Sequence, residues 1–155
     1  LYLLPTDGVP SLLEDTAVLR NEVFGVISKA QPRSATLFFD TCYSGMTRSK
    51  KTLLADARPI VITTKAQAVP DGFTIFSAAS GDQISSSLTE AKHGLLSYYL
   101  MKGMEGPADV NSDRKITNGE LYDYVLKNVE QQAIRLGGKQ TPELIGDRNR
   151  VMVRW

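Results

Sequence analysis

Apolar residues recur along this chain with two different periods, and the two alternate. Over residues 11–29, Leu12, Leu19, Val23, Val26 and Ile27 return near helical spacing, and Ser11 with Glu14 has the spacing of a capping box. That predicts an amphipathic helix. Residues 35–40, Ala-Thr-Leu-Phe-Phe-Asp, are a short apolar run that reads as a buried strand, and a turn rich in small residues follows. A short helix is predicted over 51–57. It must end before Pro59, because proline pushes its predecessor out of helical conformation. Strands are predicted over 59–64, around Ile60, Val61 and Ile62, and over 73–79. A helix over 91–104 places Leu95, Leu96, Tyr99, Leu100 and Met104 on or near one face. A longer one over 118–136 directs Leu121, Val125, Val129 and Leu136 inward and stops at Gly137-Gly138. A last strand covers 151–154. Short apolar strands alternating with helices argue for an α/β sandwich around a mostly parallel central sheet.

Composition narrows this picture only a little. A length of 155 residues is one domain or a large piece of one, and 42% hydrophobic with 23% charged residues suits a packed core rather than disorder. A net charge of +1 exerts no global pull toward nucleic acid, and the basic trio Arg48, Lys50 and Lys51 reads as a solvated loop. A single cysteine excludes an internal disulfide framework and any zinc site of paired cysteines. No membrane span or signal peptide is visible, so the expected location is cytoplasmic and no membrane partner is expected. The chain starts with Leu1 rather than methionine, which suggests upstream sequence that was removed or left out.

That one cysteine carries the chemistry. Cys42 lies just after the 35–40 strand, in Phe38-Phe39-Asp40-Thr41-Cys42-Tyr43-Ser44-Gly45. In open parallel sheets, ligands bind at the carboxyl ends of strands. A cysteine in a polar, glycine-containing turn there suits a nucleophile better than a small hydrophobe of the core.

The run Asp40-Thr41-Cys42-Tyr43-Ser44-Gly45 after a hydrophobic strand resembles the nucleophile motif of metacaspases and related caspase-like cysteine peptidases. Supporting segments are similar along nearly the whole chain. Tyr2 to Gly8 looks like the stretch after the catalytic-histidine loop. Phe76-Ser77-Ala78-Ala79 with Asp82-Gln83 resembles the next substrate-lining strand and loop, and His93 to Leu100 the helix after it. The resemblance implies a three-layer α/β/α caspase-like sandwich. Residues 1–155 would form its carboxy-terminal portion, without the first strand and histidine loop. It also implies acyl transfer, with Cys42 as nucleophile and its own amide as one oxyanion donor. The caspase histidine lies about 50 residues before the cysteine, which falls upstream of residue 1. His93 follows the cysteine and reads as structural. The missing base is then expected from upstream sequence or a second chain. Without it, a thiol of pKa ~8.5 is only a few per cent thiolate at neutral pH.

Asp40 sits two residues before Cys42, and positions i and i+2 share a face at a strand end. Metacaspases, which this motif resembles, cut after Arg or Lys with an Asp here lining the pocket. The expected substrate is therefore a protein or peptide cut after Arg or Lys, recognised by Asp40 and, more weakly, by Asp82. Asp40 bonded to its own turn amides is the plainer alternative.

Residues 109–120 follow EF-hand spacing, with Asp109, Asn111, Asp113, Thr117 and Glu120 at the oxygen positions and Ile116 at the apolar one. Arg114 replaces the expected glycine. Calcium held by Asp109, Asn111, Asp113 and Glu120 is one reading. A capping box between Thr117 and Glu120 is the other. No cofactor is required for the thiol chemistry. Two rivals use the same sequence. Cys42 to Ser49 fits the Cys-x-x-Gly-x-x-Arg-Ser phosphate loop of cysteine phosphatases, with Arg48 as the clamp. A catalytically inactive caspase-like scaffold would need no histidine at all.

Overall fold

In the computed structural model, the description covers residues 2–5, 7–41, 69–78, 87–88 and 93–155. The expected elements over 51–57 and 59–64, together with Cys42, Arg48 and Asp82, lie outside the described residues.

The longest helix shows how sequence becomes packing. Leu121, Val125, Val129 and Ala133 recur every fourth residue and are all fully buried along one side of helix α4, Asn118–Arg135. Full burial of each larger apolar side chain contributes ~1.5–3 kcal/mol. The helix starts where the capping box places it. Glu120 Oε2 accepts from the Thr117 amide at 2.9 Å, and the Glu120 amide donates to Thr117 Oγ1 at 3.2 Å. It stops at Gly137 with φ +74°, where the Gly138 amide donates to the Ala133 carbonyl and the Gly137 amide to that of Ile134. These are the two bonds of a Schellman stop. Leu136, expected inward, belongs to this terminus and is exposed.

A second helix, α3 (Leu95–Met104), lies on α4 and buries Leu95, Leu96 and Leu100. Gly103 makes the approach close: a Cβ there would meet Leu121 at 2.8 Å and Tyr124 at 2.9 Å. The expected helix start at residue 91 is too early. His93–Gly94 form a two-residue strand, β6, paired antiparallel with β5 at Ser87–Leu88.

Strands β3 (Ala35–Phe39) and β4 (Phe73–Ser77) pair in parallel, Ala35 opposite Phe73 and Phe39 opposite Ser77. On its other side β4 pairs antiparallel with β8, Glu143–Ile145. The described central sheet is therefore mixed, in order β3-β4-β8, within a mixed α/β fold. All five β4 residues are buried, as befits a strand between two others with helices nearby. In β3 only Phe39 is buried, and Phe38 is exposed with its ring stacked on Phe76 at 5.3 Å. Strand β7 (Lys115–Thr117) pairs antiparallel with β9, Val151–Arg154. Asn118 then ties α4 to the sheet, its Nδ2 donating to Thr74 Oγ1 at 3.2 Å and to the Asp147 carbonyl at 2.7 Å.

The expected single helix over 11–29 is divided. A 3-10 turn at Pro10–Leu12 leads into a one-turn helix, α1 (Leu13–Thr16), then strand β2 (Val18–Leu19), then helix α2, Arg20–Lys29. Two causes are visible. Thr16 Oγ1 donates to the Leu12 carbonyl at 2.8 Å and accepts from the Val9 amide at 2.9 Å, closing the first turn on itself. Val18 and Leu19 then run extended to pair antiparallel with β1, Tyr2–Leu3. Ser11 and Glu14 form no capping box, since neither helix start here has a side-chain cap bond. Leu12 and Val26 face outward, and the buried anchor of α2 is Phe24, edge-on to Phe73 at 5.5 Å. Among the described residues, no helix is long and apolar enough to cross a membrane.

Candidate functional site

Parallel pairing brings the carboxyl ends of β3 and β4 side by side, and the Phe39 carbonyl extends the ladder by accepting from the Ala78 amide at 2.8 Å. Asp40 is the next residue after β3. Its half-buried carboxylate reaches across to the start of α3, where Oδ2 accepts from Ser97 Oγ at 2.7 Å. The Ser97 amide lies 3.4 Å from the same oxygen. With Gly94 as N-cap, Ser97 is the third residue of the helix, so the carboxylate occupies the amino-terminal end where the peptide dipoles favour negative charge.

This approach depends on Gly94. A Cβ added there would collide with the Asp40 carboxylate, so with any other residue at 94 the carboxylate would have to move from its place against α3. Beside them, buried Gln140 donates from Nε2 to the Ala78 carbonyl at 2.8 Å and fixes the chain leaving β4. The structure thus joins Asp40, Ser97 and Gly94 at one point. The last two were legible only as parts of a helix start. Nothing in local periodicity says that a strand residue 57 positions earlier docks on Ser97. Gln140 had no sequence signal at all.

His93 is exposed on β6 and is held through its backbone pairing with Leu88. It lies one residue before the N-cap of α3, close to the helix-start position expected of a structural residue.

The 109–120 loop bonds largely to itself. Asp109 accepts from the amides of Asp113 at 3.2 Å and Arg114 at 3.0 Å, Asn111 from that of Asp113 at 2.9 Å, and Asp113 from that of Lys115 at 2.9 Å. Glu120 is engaged by Thr117 in the capping box, the second of the two expectations for this segment. Arg114 has φ +63°, the left-handed conformation a glycine there would adopt freely. Among the described residues, no group of three or more His, Cys, Asp or Glu side chains is arranged to hold a metal ion.

Comparison of the sequence with known protein families and with curated proteins found no match.

Proposed function

We propose that this chain is the cysteine-bearing part of a caspase-like cysteine endopeptidase that cleaves after Arg or Lys. One observation carries the reading. A carboxylate two residues before the sole cysteine stands at the carboxyl end of a parallel strand pair, held by a helix start. That is where α/β sheets present ligand groups, and a fixed negative charge there suits a basic side chain.

The chemistry follows from the thiol. The Cys42 thiolate attacks the scissile carbonyl carbon; a C–S bond forms, and the carbonyl electron pair moves to oxygen, where backbone amides hold it. Collapse of this intermediate breaks the C–N bond, and the leaving amine takes a proton from a histidine imidazolium. Water, deprotonated by the same imidazole, then hydrolyses the thioester and returns the thiol. In this reading the histidine comes from upstream sequence or a second chain. The 109–120 loop is read as a capped helix entry. Calcium would bind there only by drawing Glu120 away from Thr117.

The test is cleavage of peptides with Arg, Lys or Asp before the scissile bond, using the full chain together with its histidine-bearing segment. The expected result is cleavage after Arg and Lys. Cys42→Ala should abolish it, as loss of a nucleophile costs about 10⁶-fold in kcat elsewhere. Asp40→Asn should lower kcat/KM on Arg peptides by about 10- to 100-fold, the worth of a hydrogen bond to a charged group. No cleavage of any peptide would overturn the proposal in favour of the scaffold. Turnover of an aryl phosphate that is lost in Arg48→Ala would overturn it in favour of the phosphatase.

A further inference from the structure

We infer that Ser97 is a positioning residue for basic-residue recognition, acting through Asp40, and that Gly94 is what lets it do so; this inference rests on the endopeptidase reading above. A carboxylate on a strand end can rotate about its side-chain torsions, and a rotating charge recognises a guanidinium poorly. Here Oδ2 is tied to Ser97 Oγ by a short O–H···O bond to a charged acceptor, 2.7 Å long. The serine is itself fixed, because it belongs to the first turn of α3, whose neighbouring Leu95 and Leu96 are fully buried in the core. The carboxylate is thereby referenced to the first turn of α3 and, through it, to the buried α3–α4 pair.

An ionised carboxylate offers about four lone-pair sites, so accepting from Ser97 is compatible with accepting from a substrate cation as well. Gly94 supplies the room: with any side chain at 94, the carboxylate would have to leave its place against α3. Ser97 touches Asp40, and Asp40 would touch the substrate. The hydroxyl therefore orients the recognition group without taking part in bond making.

The experiment compares two peptide substrates in the full protein with its histidine-bearing segment. One carries arginine before the cut bond and the other citrulline, its uncharged near-isostere. In Ser97→Ala the arginine-over-citrulline ratio of kcat/KM should fall about tenfold, mostly through KM, as expected when a recognition group is misplaced by a fraction of an ångström. Ser97→Thr, which keeps the hydroxyl, should restore most of the ratio. Gly94→Ala, which displaces the carboxylate from the other side, should lower it as Ser97→Ala does. Equal loss on both substrates, or an unchanged ratio in both Ser97→Ala and Gly94→Ala, would overturn the inference while leaving the endopeptidase reading intact. A wild-type protein that cleaves peptides without preferring arginine to citrulline would overturn both the basic-residue assignment and this inference.

Discussion

Helices α2 and α4 carry similar apolar spacing yet end in different surroundings. In α4 the periodic residues Leu121, Val125 and Val129 are fully buried, joined in one cluster with Phe76 from β4 and the leucines of α3. In α2 the same kind of spacing leaves Val26 67% exposed, and the cluster beneath it is small: Phe24, Phe39, Phe73 and Ile75. Periodicity therefore indicates which helix face can be apolar. How much of that face is covered depends on what packs against it. For α4 that is α3 with β7 and β8; for α2, among the described residues, it is the small cluster in which Phe24 meets Phe73 of the central strand β4.

The comparison is sharpest for a single residue type in both helices. Val125→Ala should destabilise the protein by about 2 kcal/mol, because a fully buried position loses transfer free energy and leaves a cavity. Val26→Ala should change stability by less than about 0.5 kcal/mol, as surface substitutions do. Chemical denaturation of the two variants measures the contrast, and equal losses would mean that the amino-terminal region is packed as tightly as the carboxy-terminal one.

The two helix starts provide a smaller effect of the same kind. Thr117→Ala removes a capping bond to the Glu120 amide and should cost about 1 kcal/mol. Ser11→Ala, at a position with the same sequence signature but no cap bond, should be near neutral. Thermal melts would separate them, and a loss at Ser11 matching that at Thr117 would break the distinction.

The smallest expected change lies in the loop that leads into α4. Arg114→Gly removes a side chain held at φ +63° and should stabilise by up to about 1 kcal/mol. The same variant tests calcium. If the loop is a capping device alone, calcium produces neither heat in a calorimeter nor a rise in Tm, in the wild type or in Arg114→Gly. A calcium-dependent rise in Tm, larger in the glycine variant, would instead assign the loop to the ion.

Much of the carboxy-terminal half was legible because its signals are local. Thr117 and Glu120 bond across three residues, Gly137 closes the last turn of its own helix, and Leu121 to Val129 repeat on one face. Strands β7 and β8 were missed for the opposite reason. Each is three residues long and exists through its partner, β9 for one and β4 for the other. The division of 11–29 also came from a distant element, since β2 is held by Tyr2 and Leu3. At the candidate site, the sequence pointed to Asp40 through its place beside Cys42. It was silent on Ser97 and Gly94 as its partners.

By itself, then, the sequence determined strands at 35–39 and 73–77, the ends of α4 and the face that α4 buries. These depend on spacing within a few residues, where propensity, capping and periodicity act. Only the tertiary structure decided that β4 has an antiparallel neighbour, that α2 buries Phe24 and leaves Val26 in water, and that the Asp40 carboxylate rests on the start of α3. Those outcomes depend on which surfaces meet. Strand pairing and cross-chain hydrogen bonds are settled by burial and fit between segments far apart in the chain, which no short window of sequence contains.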